Sequence, residues 1–118
     1  MSPLDNFNVP QIQFLGEQDG VPERQLKTKF INLFKKNDKI KTAFLAIVSY
    51  DDAKTYSIAL CLDVPTGADE EIAKQIWKIF SSMFGTHEHL DIVFVSTHQV
   101  QQLLNVCKPF YFHKAEIR

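Results

Sequence analysis

The hydrophobic positions of this chain change their period several times, and each change marks an element. Over residues 42–48 almost every position is apolar: Ala43, Phe44, Leu45, Ala46, Ile47 and Val48 follow Thr42 without a charge. A run of that length without alternation predicts a strand covered on both faces. After a short polar connection of hairpin length over 50–54, Tyr56, Ile58, Leu60, Leu62 and Val64 alternate with Ser57, Ala59, Cys61 and Asp63. This predicts a second strand, antiparallel to the first, with one strongly apolar face and one of small side chains. A helix, a ligand or a second subunit can approach closely over the small face formed by Ser57, Ala59 and Cys61.

The period then shifts to that of helices. Leu26, Phe30, Leu33 and Phe34 form a stripe that opens at Pro22 and Glu23, carries Lys35 and Lys36 in its last turn, and ends at Asn37 and Asp38. Ile72, Ile76, Ile79, Phe80 and Met83 form a second stripe, opened by Asp69, Glu70 and Glu71 and closed by Gly85; Trp77 and Phe84 widen it. Residues 90–95 read as a third core strand. A short helix follows, capped by Ser96 or Thr97, with Val100, Leu103 and Leu104 facing inward. Residues 109–112 read as a last extended segment, and residues 11–15 as a short edge strand before the first helix. The expected fold is therefore α+β: one domain over 11–112, with a mostly antiparallel sheet of about four or five strands in the order (β)-α-β-β-α-β-α-β. Residues 1–10 are expected to be a flexible arm and 113–118 a polar tail.

Composition narrows the function classes. A chain of 118 residues with 45% hydrophobic and 23% charged residues is an ordinary globular length and balance. The net charge of −1 gives no global attraction to nucleic acid or acidic membranes, so neither is an expected partner. Basic residues gather between Arg24 and Lys41 and acidic ones between Asp51 and Glu71, a pattern of solvated faces. The N-terminal residues lack the signature of a signal peptide, and no apolar run reaches the roughly 18 residues of a membrane helix. Two cysteines are too few for a disulfide framework, and a reducing cytoplasm is the expected compartment.

Four kinds of chemistry deserve weighing. Cys61 and Cys107, with His113 among the available bases, offer a thiol nucleophile only if one of them lies beside a base with a lowered pKa; otherwise they are small core residues. His87 and His89, with His98 or Asp91, offer a metal set, but the spacing matches no helical zinc motif and no structural finger. Four glycines, none in a Gly-rich loop before a helix, give no phosphate site, and no cofactor is expected. The aromatic excess, with ten phenylalanines, is the most usable signal. Trp77 and Phe84 stand on the shoulder of the second helix, and Phe110, Tyr111 and Phe112 crowd the last segment. Alternation sends Phe110 and Phe112 to one face and Tyr111 to the other. These five are the candidate interaction surface for a protein partner or a homodimer; the alternative is that they build a broad aromatic core.

Several of these residues also form a familiar series. Gly16-Glu17, Val21-Pro22, Ala43-Phe44-Leu45-Ala46, Asp91-Ile92 and Pro109-Phe110-Tyr111, in that order, resemble the C-terminal domain of the bacterial SseB (enhanced serine sensitivity) family. The family pattern runs Gly-Glu-Pro, Tyr-Pro, Ala-Tyr-Leu-Ala, an Asp-Phe strand and a closing Pro-Phe-Tyr. Here Gln18 stands for the proline, Val21 for the first tyrosine and Phe44 for the second. The resemblance spans about residues 14–111 and implies a small cytoplasmic α+β module without established chemistry; it supplies no catalytic residues. The expected function is a non-enzymatic protein-interaction or regulatory module, self-association being one form of it. The alternatives are a thiol-dependent sulfur-handling enzyme and a small-metabolite-binding protein.

Overall fold

A computed structural model describes residues 12–50 and 55–113. The elements are β1 (Ile12–Glu17), α1 (Val21–Phe34), β2 (Thr42–Tyr50), β3 (Ser57–Asp63), α2 (Glu70–Phe84), β4 (Asp91–Phe94), α3 (Thr97–Leu104) and β5 (Tyr111–Phe112). The element order and the α+β class are those expected from the hydrophobic periods. β2 is the axis of the five-stranded sheet. On one side it pairs with β3 over its whole apolar run; on the other it pairs with β1 near its end and with β5 at its start. All three pairings are antiparallel, whereas β3 and β4 are parallel. β2 thus runs against the other four strands, and α2 is the crossover that a parallel β3–β4 pair requires.

The two-residue period of the strands sorts the side chains onto two faces. Ala43, Leu45, Leu60 and Leu62 point to the first face, where α1 brings Leu26, Phe30 and Phe34 and α2 brings Ile72, Ile76 and Phe80. Phe44, Ala46, Val48, Ala59 and Cys61 point to the second, where they meet Leu103 of α3, Val95 and Cys107. Both faces of the central strand are therefore covered by helix. The small face of β3 is closed: Ala59 and Cys61 are fully buried. The close approach that small side chains permit is used by α3 and its flanks, and not by an open ligand site over Ala59 and Cys61.

The family motifs have structural roles. The backbone N–H of Phe110 donates to the Ala43 carbonyl, and the Phe110 ring lies 6.5 Å from Phe30 and 6.3 Å from Phe34. Tyr111 meets Phe34 edge-on at 5.5 Å, and its hydroxyl donates to the Phe34 carbonyl at 3.2 Å. That carbonyl, at the end of α1, also accepts from the Asn37 backbone N–H at 2.9 Å, so the Tyr111 hydroxyl adds a second bond that ties the helix end to the sheet. Gly16 lies where the β1–β2 register shifts, and Glu17 next to it joins β1 to α1 and to the segment before β5. Its carboxylate accepts from Lys27 Nζ at 3.1 Å and from the Lys108 backbone N–H at 3.4 Å. Lys27 is buried on α1 and is held by Glu17 and, at 3.5 Å, by Asp19.

Several expectations change. α1 ends at Phe34, so Lys35 is its C-cap and Lys36 lies beyond it. β2 continues through Tyr50, which the polar connection had claimed. Tyr56 precedes β3 and is 69% exposed, away from the apolar face assigned to it. Leu104 ends α3 and is exposed, so only Leu103 is fully buried from that helix. Phe110 precedes β5 and packs in the same cluster as Tyr111, so strand alternation does not separate them. His113 donates its backbone N–H to the Lys41 carbonyl at 2.9 Å and so is tied to the sheet. The arm over 1–10 and the rest of the tail lie outside the described residues.

Candidate binding site

The site is built on α2. Asp69 caps the helix by accepting from the Ile72 backbone N–H at 3.1 Å, and Lys39 adds an ion pair at 3.1 Å. Both contacts favour its charged form, the backbone hydrogen bond first, and hold its carboxyl below the usual range. Gly85 closes the helix with φ of 82°, a left-handed conformation that favours glycine. Between these ends, the i, i+3, i+7 spacing of Trp77, Phe80 and Phe84 stacks three rings. Trp77 lies 5.5 Å from Phe80, and Phe80 4.9 Å from Phe84, both nearly parallel. Phe80 is buried, Phe84 is half-buried and Trp77 is 39% exposed. The ladder thus runs from the core to the surface, and packing against Phe80 fixes the outer ring.

At the foot of the ladder is a cavity of about 110 Å³. Leu26 of α1, Leu45 and Ile58 of the sheet, Leu90, Phe80 and Phe84 make its apolar walls. Glu23, Glu88 and His89 supply its polar groups. His89 is oriented from the other side of the sheet end: its Nε2 meets Asp91 Oδ1, while Tyr50 Oη donates to Asp91 Oδ2 at 2.7 Å. Tyr50 lies on β2 and Asp91 on β4, with β3 between them. The phenol must therefore cross β3, and the small residues Ser57 and Ala59 leave room for it. Burial, and then the Asp91 carboxylate, push the Tyr50 phenol far above its ordinary range, so at neutral pH it is a donor.

The five aromatic candidates do not form one surface. Trp77 and Phe84 share the ladder, and Phe110 and Tyr111 belong to the aromatic group under α1. Phe112 is exposed at the β5 edge, on the far side of β2 from β3 and α2. Nor do the histidines converge. Among the described residues no three His, Cys, Asp or Glu side chains come together in a metal-holding group, and His87 and His98 are exposed. The thiols are both buried and unpaired with each other. Burial pushes Cys61 up to about 12; burial, followed by the nearby Glu17 carboxylate, pushes Cys107 up to about 11. A nucleophilic thiol needs the opposite shift.

Sequence reasoning found Trp77 and Phe84 from the width of the stripe. It missed Tyr50 and Glu23, and it missed the cavity, whose walls come from four elements and the loop before β4. The only signals available were the small residues on one face of β3, which accommodate the Tyr50 ring, and the proximity of Glu23 to a helix start.

Among the described residues, no helix is long and apolar enough to cross a membrane. No curated protein and no solved structure matches the chain. The model of the SseB protein C-terminal domain family matches residues 15–113, through all five strands and three helices apart from the first residues of β1. The resemblance carried by the ordered motifs is thereby borne out: this chain belongs to the SseB C-terminal domain family.

Proposed function

We propose that the chain is a non-enzymatic protein-interaction module of the cytoplasm and that the outer face of Trp77 is its anchor for a protein partner or a second copy of itself. The observation that carries this reading is the ladder. A tryptophan 39% exposed, stacked on a buried phenylalanine, offers a large apolar contact already held in place. Ordering a side chain on binding costs about 0.5–1.5 kcal/mol, and a preset ring avoids much of that loss. Buried aromatic anchors of this kind dominate interface energies. The thiol-enzyme alternative finds no support in two buried thiols with raised pKa values.

The test is Trp77→Ala, examined by light scattering over a range of protein concentrations and by binding to any partner recovered with the native chain. The expected result is lost association, of at least tenfold in affinity, with an unchanged circular dichroism spectrum. Phe84 is a poorer test because it also lines the cavity. A folded Trp77→Ala protein that keeps both its mass and its partner affinity refutes the proposal.

A further inference from the structure

The cavity at the foot of the ladder has a chemistry of its own, independent of what Trp77 contacts. Its lining is mostly apolar, with two carboxylates, Glu23 and Glu88, and the His89 ring as its polar groups. Glu23 is preset: its Oε2 accepts from Gln18 Nε2 at 3.0 Å, and its Oε1 lies over Gly20. A side chain at position 20 would place its Cβ 2.4 Å from that oxygen, so the glycine is what admits the carboxylate. Glu23 Oε1 takes no hydrogen bond from the described residues, and Glu88, which also lines the cavity, is exposed. Two cations of the adjoining helix, Arg24 and Lys27, are paired elsewhere. Arg24 pairs with Asp19 at 3.1 Å, and Lys27 pairs with Glu17 and Asp19. Asp91 answers whatever charge His89 carries. The uncompensated charge of the lining is therefore negative.

We infer that this cavity binds a small primary amine with a compact aliphatic body, the carbon skeleton among Leu26, Ile58, Phe84 and Leu90 and the ammonium between Glu23 and Glu88. The size sets the body. Engineered apolar cavities of about 150 Å³ hold a benzene ring, so about 110 Å³ suits a branched chain of four or five carbons. The carboxylates set the head group, because an ammonium gains ionic hydrogen bonds that an alcohol of the same shape does not and a carboxylate is repelled. The ligand site thus lies on the face of the sheet opposite to the small face of β3.

An isosteric series decides the question: 3-methylbutylamine, 3-methylbutanol and 3-methylbutanoate, titrated into the native chain and followed by amide and methyl NMR shifts. The amine is expected to give saturable shifts at Leu26, Ile58 and Leu90 with millimolar affinity, in keeping with its six heavy atoms. It should bind about fivefold tighter than the alcohol, with the acid weakest, and added salt should shrink the preference. Glu23→Gln with Glu88→Gln should remove the preference and leave alcohol binding unchanged. Trp77→Ala should keep the preference for the amine over the alcohol, because Trp77 carries no charge and does not line the cavity, so this test fails separately from the interaction test. Absence of saturable shifts with any of the three would overturn the inference. Equal binding of amine and alcohol to the native chain would overturn it too, even if the double variant failed to fold.

Discussion

The two faces of the sheet are closed in different ways. On the first, helices of 14 and 15 residues lay six buried side chains over the sheet, three of them phenylalanines. On the second, an eight-residue helix lies over Phe44, Val48, two alanines and a cysteine, and Ile12, Phe14, Tyr50, Val93 and Val100 are only partly buried around it. The first face is filled by bulk and the second by close approach. Bulk leaves gaps where large rings meet imperfectly, and the cavity beside Phe80 and Phe84 is such a gap. Close approach leaves little room over Ala59 and Cys61, where the second face holds the thiols; its open space, about 410 Å³, lies at the rim beside Ile12, Phe14 and Gln102.

Substitutions should separate these modes. The largest expected effect is Phe34→Ala on the first face, which removes a fully buried ring in contact with Phe30, Phe110 and Tyr111. It should cost about 4 kcal/mol in chemical denaturation; a loss under about 1 kcal/mol would mean that the face is not packed as described. On the second face the damaging change is the reverse. Ala59→Leu adds volume inside the fully buried cluster that Ala59 shares with Leu103 of α3 and should cost about 2 kcal/mol. A neutral result would show that α3 stands off the sheet.

The thiols give a smaller, pH-dependent contrast. Their folded pKa values, about 12 and about 11, lie above the ordinary value of about 9. The folded state therefore keeps protons that the unfolded chain releases, and their contribution is fully present below pH 9. Stability should fall as pH rises from about 9 towards 11, by at most about 1.4 kcal/mol per pH unit for each thiol. Replacing both with alanine should flatten that slope. An unchanged slope would assign it to other groups, Tyr50 first, whose phenol is also raised.

How much of this was legible in the sequence follows from what each feature depends on. β2, α1 and α2 were legible because their apolar periods run for two turns or more, or for a whole strand. Single residues at element ends were not. Tyr50, Tyr56, Leu104 and Phe110 each follow the period of their neighbours by residue type, but their placement depends on where hydrogen-bonding stops. The link from Tyr50 to Asp91 spans 41 positions and needs the register of three strands. The ladder was half legible, since the spacing of Trp77 and Phe84 shows a broad stripe but not which ring remains at the surface. The closing motif at Phe110 and Tyr111 read equally well as surface or core until Phe34 was in place to receive the Tyr111 hydroxyl.

The two faces also end in different exposed side chains, Trp77 on α2 and Leu104 on α3. Of these two, only Trp77 is held by a stacked ladder. A photo-reactive phenylalanine analogue placed at position 77 in one variant and at position 104 in another, irradiated in cells, tests the Trp77 anchor most directly. The predicted result is a discrete crosslinked species of defined mass from position 77 and none from position 104. No adduct at 77, or the same pattern from both positions, would contradict the claim that this surface is where the module meets its partner.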